Sequence, residues 1–275
     1  MPISNKTAME KISVIKVGGA VVEDATALSE LLDRFADIPG AKILIHGGGR
    51  SATRIAASLG IESHMVGGRR VTDQDMLQVV TMVYGGLVNK NIVVALQQRG
   101  INAVGLTGAD MNLMLSHKRA PKQMKLDDGS TQMVDFGFVG DVDQVDGKML
   151  ATLIDNGLVP VMAPLTHDGQ GHLLNTNADT IASQVACALT PYFEVTLTFC
   201  FEKKGVLANP DDDESVIRHI CETEFHRYVD SGVIAGGMRP KLENSFQAIH
   251  QGVKQVIITS AEDPKGTQGT IIREF

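Results

Sequence analysis

Two glycine clusters near the start of the chain each follow a short apolar run, and both could bind an anion. The first is K-V-G-G at residues 16–19, which closes the apolar run 12–17, and the second is H-G-G-G at residues 46–49, which closes the run 42–46. Glycine lets a ligand approach the backbone closely, and N–H groups at a helix start attract negative charge. One such cluster could simply form a tight turn. Two clusters at equivalent strand ends indicate a phosphate or carboxylate site.

Two further runs place charged side chains at the predicted start of a helix. N-T-N-A-D at residues 175–179 offers Asn177 as an N-cap, which leaves Asn175 and Asp179 as additional polar groups nearby. G-G-M-R-P-K at residues 236–241 puts Lys241 in the first turn of another helix, where the helix dipole disfavours a cation. A solvated surface lysine is the simpler interpretation, but a bound anion would explain this placement.

Strands and helices alternate along almost the whole sequence, which is the pattern of an α/β fold. The predicted strands lie near residues 12–17, 42–46, 102–106, 158–163, 195–201 and 255–259, and the predicted helices near residues 24–38, 51–59, 72–98, 146–156, 177–189 and 240–250. Near-continuous apolar strands are typical of a mainly parallel sheet that helices cover on both faces. Residues 111–146 instead predict antiparallel hairpins at one edge, and residues 167–174 predict another. Thr72 with Asp75 is a capping-box pattern that predicts where the helix 72–98 begins.

Composition narrows the possible functions. The chain has 275 residues, a formal net charge of −7, no tryptophan and 4% aromatic residues, which does not favour nucleic-acid binding. Its three cysteines lack metal-ligand spacing and do not indicate a disulfide framework or a zinc site. The first eleven residues are polar and no apolar run reaches the roughly 18 residues of a membrane span, so we expect a cytoplasmic protein without a membrane partner. P-loop, Rossmann, nucleophile-elbow and protein-kinase motifs are absent from the sequence.

Taken together, five motifs resemble those of the amino acid kinase family, and within it the acetylglutamate kinases. They are K-x-G-G, H-G-G-G, G-x-R-V-T, N-x-N-A-D and G-G-M-x-x-K, and the resemblance extends from Lys11 to about Arg273. It implies a single α/β domain over residues 1–275, folded as a three-layer αβα sandwich around a mainly parallel open sheet of about eight strands, with edge β-hairpins. It also implies that a lobe of about residues 11–175 binds an acyl amino acid and that a lobe of about residues 176–275 binds ATP.

The resemblance implies a role for each matching residue. The three expected catalytic residues are Lys16 and Lys241, which would contact the transferring phosphoryl group, and Asp179, which would position both lysines. The residues expected to bind the acceptor are Gly48, Gly49, Arg70 and Asn175, with Arg70 holding the α-carboxylate. The backbone groups expected to bind phosphate belong to Gly18, Gly19 and Gly237. We expect no protein metal ligand, since Mg²⁺ would arrive with ATP.

These roles fit the chemistry of acyl-phosphate formation. A glutamate side-chain carboxylate has a pKa of about 4.3 and is already an anionic nucleophile at neutral pH, so no general base is required. The reaction needs fixed cations and accurate positioning instead. The predicted activity is ATP-dependent phosphorylation of the side-chain carboxylate of an N-acylglutamate, a step of arginine biosynthesis. The predicted acceptor is N-acetyl-L-glutamate, with N-succinyl-L-glutamate as the alternative.

Three segments depart from the family pattern. Residues 199–207 stand where the family usually has T/S-D-V-x-G-V, so Glu202 replaces an aspartate that helps to bind the nucleotide. Residues 67–69 differ near the acyl end of the substrate, which leaves the acyl group open, and Arg69 is the alternative to Arg70 as the carboxylate clamp. The extension before the first strand is only about ten residues, shorter than in arginine-inhibited relatives, so we expect a homodimer without strong arginine feedback.

Three other interpretations stay open at this point. A different kinase of the same fold would phosphorylate aspartate, free glutamate, carbamate or a nucleoside monophosphate. A catalytically inactive ligand sensor of the same fold is the second alternative, although the presence of Lys16, Asp179 and Lys241 favours an enzyme. A purely structural α/β domain would leave four ligand-like turns unexplained.

Overall fold

The computed structural model describes residues 9–125 and 130–274 as alternating strands and helices. In chain order the strands of this part are β1 (Lys11–Val17), β2 (Ala41–His46), β3 (Met65–Val66), β4 (Arg69–Arg70), β5 (Ala103–Leu106), β6 (Met114–Lys118), β7 (Lys122–Lys125), β8 (Thr131–Val134), β9 (Gly140–Val145), β10 (Val159–Met162), β11 (Leu165–His167), β12 (Leu173–Asn175), β13 (Glu194–Phe201), β14 (His219–Ile220), β15 (Gln255–Ser260) and β16 (Thr270–Ile272). The α-helices are α1 (Gly19–Glu23), α2 (Ala25–Ala36), α3 (Gly49–Ser58), α4 (Gln74–Val80), α5 (Asn89–Gln98), α6 (Gly147–Asp155), α7 (Ala178–Leu189), α8 (Glu222–Asp230) and α9 (Met238–His250).

Eight of these strands form one open sheet in the order β14-β16-β15-β13-β1-β2-β10-β5. From β15 to β5 all neighbouring strands are parallel. At the other end β16 runs antiparallel to β15 and pairs in parallel with β14. The prediction of a mainly parallel sheet of about eight strands is therefore confirmed.

Each face of the main sheet carries its own hydrophobic core. Ile12 and Val14 of β1 belong to one core, which includes residues of α6, α7 and α9. Ile15 and Val17 of the same strand belong to the other core, with residues of α2, α3, α4 and α5. Side chains alternate between the two faces of a strand, so a strand with buried residues on both faces reads as an almost continuous apolar run. The three-layer αβα sandwich is thus confirmed.

The predicted hairpins form sheets of their own instead of extending the main one. Strands β12, β11, β6 and β9 make a four-stranded sheet, and the pairs β3-β4 and β7-β8 make two small hairpins. Only two residues separate the end of β10 from the start of β11, so the smaller sheet stays close to the carboxyl end of the main sheet. The D-D-G run at residues 127–129, inside the predicted hairpins, lies outside the described residues.

One long helical segment, Gln74–Gln98, consists of α4, a π-helical segment Thr81–Val88, and α5. The predicted capping box is wrong by one residue: Asp73 is the N-cap, and its side chain accepts a hydrogen bond from Met76 N at 2.8 Å. Among the described helices, only the Gln74–Gln98 segment has the length and hydropathy to cross a membrane. However, 44% of its most apolar stretch of 18 residues is buried inside the protein. A core helix passes the same test, so this property does not by itself indicate a membrane span.

Candidate active site

The carboxyl ends of three neighbouring strands bring the two glycine clusters together. Val17 at the end of β1 pairs with His46 of β2 on one side and with Cys200 of β13 on the other. A Cβ atom added to Gly47 would lie 3.1 Å from the backbone nitrogen of Gly19. The two clusters therefore pack backbone against backbone, and side chains at these positions would push them apart.

The second cluster is held in place by a buried neutral histidine. His46 is fully buried, and burial lowers its pKa to about 4, so the imidazole carries no charge at neutral pH. Its Nδ1 donates to Gly47 O at 2.8 Å, and its Nε2 accepts from Asn89 Nδ2 at 3.1 Å. Asn89 also donates to Val161 O at 2.9 Å, which connects the glycine loop to the neighbouring strand β10.

Two adjoining cavities open at this end of the sheet and share residues 47–49 as a common wall. The first, which we call the lysine cavity, has a volume of about 510 Å³, and its lining includes Gly18, Gly19, Phe201, Glu202, Lys203 and Lys241. The second, the arginine cavity, has a volume of about 370 Å³, and its lining includes Arg69, Arg70, Tyr84, Arg119, Asn175 and Asp179. Two substrates could therefore lie on either side of one glycine loop.

The three predicted catalytic residues meet beside this loop. Lys16 Nζ lies 2.7 Å from Asp179 Oδ1, and the Lys16 side chain is only 10% exposed. Lys241 Nζ lies 3.6 Å from the centroid of the Phe201 ring, and Lys16 Nζ lies 5.2 Å from the same centroid. Burial lowers the pKa of Lys241, and the charge of Asp179 opposes that effect. The site thus holds two ammonium groups and one carboxylate.

Each member of this trio is fixed by the element that carries it. Lys16 lies on the buried strand β1. Asp179 is in the first turn of α7, whose N-cap Asn177 accepts from the backbone N–H groups of Asp179 and Thr180 at 2.8 and 3.1 Å. This is a favourable place for a carboxylate, because the helix dipole is positive there. Lys241 lies in the first turn of α9, where the same dipole opposes its charge, so the predicted conflict is present.

Arg70 is held rigidly at the edge of the arginine cavity. Its Nη2 donates to Gly49 O and to Thr53 Oγ1, both at 2.8 Å, and its Nη1 donates to Ser63 Oγ. These bonds fix the plane of the guanidinium group, which is the group that binds carboxylates bidentately. Arg69 also lines the cavity but is exposed, whereas Arg70 is half-buried.

Asn175 is anchored from the other side of the arginine cavity. Its Nδ2 donates to Thr72 Oγ1 at 3.0 Å, and Thr72 is fully buried. Among the described residues, no group donates to Asn175 Oδ1. The side chain therefore presents an oriented amide oxygen as a hydrogen-bond acceptor.

The remaining predicted residues fall into two groups. Gly18, Gly19, Gly48 and Gly49 line the cavities, as the strand ends require. Gly237 is the residue before α9 and does not belong to the lining of either cavity, although Met238 and Lys241 line the lysine cavity.

The atypical segment after β13 is tied down by ion pairs at the mouth of the lysine cavity. Glu202 lies 3.4 Å from Arg50 Nη2, at the start of α3. Lys203 lies 2.7 Å from Asp213, and Lys204 pairs with Glu214. The acidic run 211–214 thus neutralises the two lysines that follow Glu202. Ion pairs as exposed as these contribute little to the stability of the fold, so their main effect is on the local charge.

Sequence reasoning missed three residues of the two cavities. Tyr84 is buried near Arg70, whose charge opposes the rise that burial causes in the pKa of its hydroxyl, and a Cβ on Gly48 would come within 2.9 Å of its ring. Arg119 lines the arginine cavity, and its Nε lies 3.1 Å from both carboxylate oxygens of Asp141. The third is Phe201, which lines the lysine cavity. Of these three residues, only Tyr84 had a signal in the sequence, namely the Gly-Gly pair that follows it, which is unusual inside a helix.

The described residues contain no group of three or more His, Cys, Asp or Glu side chains that could hold a metal ion. In the trio, two ammonium groups supply positive charge. A divalent ion at this site would need ligands from a bound substrate, and phosphate oxygens are suitable ones.

Comparison with known proteins identifies the family. The model of the amino acid kinase family matches residues 11–260. The acetylglutamate kinase of Bacteroides thetaiotaomicron is 62% identical over 265 residues, covering 96% of this chain and 99% of that protein. The structure of smu.665 from Streptococcus mutans matches with a TM-score of 0.75 and 26% identity, over 96% of this chain and 99% of the other. The carbamate kinase of Giardia lamblia bound to AMP-PNP shares the fold, with a TM-score of 0.65 and 16% identity over 98% and 99% of the two chains. The chain therefore belongs to the amino acid kinase family, and within it to the acetylglutamate kinases.

Proposed function

We propose that this chain transfers the γ-phosphoryl group of ATP to the side-chain carboxylate of an N-acylglutamate, with N-acetyl-L-glutamate as the acceptor, in arginine biosynthesis. The observation that carries the proposal is the pair of cavities separated by residues 47–49, with Lys16, Asp179 and Lys241 beside that wall. A relative 62% identical to this chain carries the name acetylglutamate kinase, which supports the same acceptor here.

The geometry supports a direct displacement between two anions. ATP would place its γ-phosphate in the lysine cavity, and the acceptor would direct its carboxylate from the arginine cavity. The ammonium groups of Lys16 and Lys241 would stabilise negative charge on the phosphoryl oxygens, which is the main requirement of phosphoryl transfer. Asp179, 2.7 Å from Lys16 Nζ, keeps the ammonium groups charged and oriented. Mg²⁺ would enter on the phosphates of ATP, since no described cluster of side chains is suited to hold it.

The division into two lobes follows the same geometry. Most residues that line the arginine cavity precede Asp179, which supports an acceptor site built mainly by residues 11–175. The lysine cavity adds Phe201, Glu202, Met238 and Ile258 to the glycine clusters, which supports a nucleotide site to which residues 176–275 contribute about half of the lining. Backbone N–H groups of Gly18 and Gly19 would approach the phosphate, and Gly237 would act through the start of α9.

The acceptor would be held at both ends. Arg70 offers the charge and the remaining N–H donors of its rigidly held guanidinium group to the α-carboxylate, and Asn175 offers its amide oxygen to the N–H of the acylamino group. The backbone of Gly48 and Gly49 would support the side-chain carboxylate beside the lysines. The buried hydroxyl of Tyr84 stabilises the orientation of Arg70.

One observation favours a second acceptor, N-succinylglutamate. Three guanidinium groups line the arginine cavity, those of Arg69, Arg70 and Arg119. Arg119 is paired with Asp141, but no described carboxylate lies within 4.0 Å of the Arg69 guanidinium. A succinyl group would bring a third carboxylate to this basic wall, whereas an acetyl group would bring none.

We further propose that the enzyme acts in the cytoplasm as a homodimer. Leu87 and Val94, 47% and 67% exposed, lie seven residues apart along the Gln74–Gln98 segment and give it an apolar outer face. Light scattering of the purified protein would give the mass of a dimer, and the mass of a monomer would contradict this proposal.

A panel of acceptors tests the function. The protein is incubated with Mg·ATP, hydroxylamine and one of N-acetylglutamate, N-succinylglutamate, glutamate, aspartate, carbamate or UMP, and both ADP and hydroxamate are measured. Turnover with an N-acylglutamate alone supports the proposal and identifies the acyl group. Turnover with another acceptor would assign a different kinase of this fold, and turnover with none would favour the inactive sensor.

A further inference from the structure

The ring of Phe201 occupies an unusual place in the site, directly against both catalytic lysines. Phe201 is the last residue of β13 and lines the lysine cavity. Its ring stacks on that of Phe199, with centroids 5.9 Å apart and an interplanar angle of 14°. Packing against this buried neighbour restricts rotation of the Phe201 ring.

The two lysines next to this ring differ in whether a carboxylate lies close to the ammonium group. Lys16 has a carboxylate partner, Asp179, at 2.7 Å. Among the described residues, no carboxylate oxygen lies within 4.0 Å of Lys241 Nζ. The nearest attractive group recorded for Lys241 is instead the Phe201 ring, whose centroid lies 3.6 Å away, well inside the roughly 6 Å range of a cation–π interaction. Lys16 Nζ lies 5.2 Å from the same centroid.

We propose that Phe201 is a positioning residue that holds Lys241, and more weakly Lys16, at the phosphoryl site through cation–π contacts. This inference rests on the proposed function and adds to it a residue that touches no reacting atom. An aromatic ring suits this task better than a second carboxylate. Its negative face attracts an ammonium group without adding a full negative charge, which would repel the phosphate and the acceptor carboxylate.

This role predicts that replacing Phe201 lowers kcat and leaves the KM of the acceptor almost unchanged. Before ATP binds, the ring keeps the mobile Lys241 side chain inside the cavity. Once the γ-phosphate arrives, its oxygens become the stronger partners, and the ring remains beside the ammonium groups. Phe201→Leu keeps an apolar side chain but removes the π face, so kcat should fall about tenfold, with the KM for the N-acylglutamate changed less than twofold.

Fluorination of the ring separates cation–π attraction from packing. Each added fluorine weakens the negative face while changing the size of the ring little. Mono-, di- and trifluorophenylalanine at position 201 should lower kcat progressively. The same series at position 193 is the matched control, because Phe193 is buried, lines neither cavity and has no cation of the described residues over its ring; there kcat should stay constant. A flat series at position 201 would overturn the proposal.

A second measurement does not depend on turnover. Lys241 Nζ lies 3.6 Å from the centroid of the Phe201 ring, so the ring current should shift the NMR signals of the adjacent Cε protons upfield in the nucleotide-free protein. Phe201→Leu should abolish that shift, and Phe193→Leu, at a buried ring that lines neither cavity, should retain it. Unshifted Lys241 signals in the wild-type protein would contradict the contact itself. An absence of kinase activity alongside normal upfield shifts would instead contradict the proposed function and leave the contact established.

Discussion

Replacing Asp179 by asparagine should reduce kcat strongly while leaving the fold intact. The substitution keeps the size of the side chain but removes the charge 2.7 Å from Lys16 Nζ. At an effective dielectric constant of about 20, a pair at that separation interacts by about 6 kcal/mol. The Asp179 side chain is 32% exposed, which weakens the interaction, so we expect a loss of about 3 kcal/mol in transition-state stabilisation. That corresponds to a decrease in kcat of about 100-fold.

The same substitution should narrow the pH range of activity. Lys241 must be protonated to act, so activity falls as the pH rises through its pKa. Asp179 raises that pKa against the effect of burial, and without it the pKa falls. The alkaline limb of the kcat profile should therefore move to lower pH in the Asp179→Asn variant. ADP release at saturating substrates, measured across the pH range, reports both effects.

Asp24→Asn is the matched control for this experiment. Asp24 is the N-cap of α2 and accepts from Thr26 N and Ala27 N at 2.9 Å, and asparagine caps a helix equally well. It does not line either cavity, so kcat and its pH profile should remain those of the wild type. The reasoning is refuted if Asp179→Asn keeps kcat within twofold of the wild type and shows the same alkaline limb.

Three further predictions concern the acceptor site and the glycine loop. Arg70→Lys should raise the KM of the acceptor about 10- to 100-fold in steady-state assays because lysine cannot reproduce the planar, rigidly held guanidinium group, and an unchanged KM would assign the clamp to Arg69. Tyr84→Phe removes one buried hydroxyl and should raise the same KM about fivefold with kcat unchanged; an equal fall in kcat would contradict a role limited to orienting Arg70. His46 has a pKa of about 4 in the fold, below its usual value of 6.5, so its contribution is complete above about pH 6.5 and is lost as the pH falls towards 4. Urea unfolding at pH 7 and pH 4 should show that the wild type loses about 3 kcal/mol more than His46→Gln, and equal losses would show that the ring is protonated in the fold.

The elements of the main sheet could be predicted because their cause is local. Strand β1 is buried on both faces, so its apolar run is almost continuous, and the glycines that follow mark its end. Asn177 marks the start of α7 as its N-cap, and Pro240 lies within the first turn of α9, where its missing N–H costs little. These ends are where ligands bind in an open parallel sheet, so the trio could be placed once the alternation was recognised.

The parts of the site that escaped prediction depend on contacts between distant residues. Tyr84 lies in the π-helical segment of its helix, which alters the direction in which side chains point. No local sequence pattern predicts that segment. Arg119 is oriented by Asp141, 22 residues away on another strand. The position of Phe201 between two lysines requires the register of β13 against β1, which is set by the whole sheet.

The most direct test of the central claim follows an oxygen atom from the acceptor. N-acetylglutamate labelled with ¹⁸O in its side-chain carboxylate is incubated with the protein, Mg·ATP and hydroxylamine. The inorganic phosphate is then analysed by mass spectrometry. N-succinylglutamate with the same label is tested in parallel. If the carboxylate attacks the γ-phosphorus, one labelled oxygen bridges carbon and phosphorus, and hydroxylamine releases it as phosphate carrying one ¹⁸O. ADP formation with unlabelled phosphate for both acceptors would show that the carboxylate is not the nucleophile and would contradict the account.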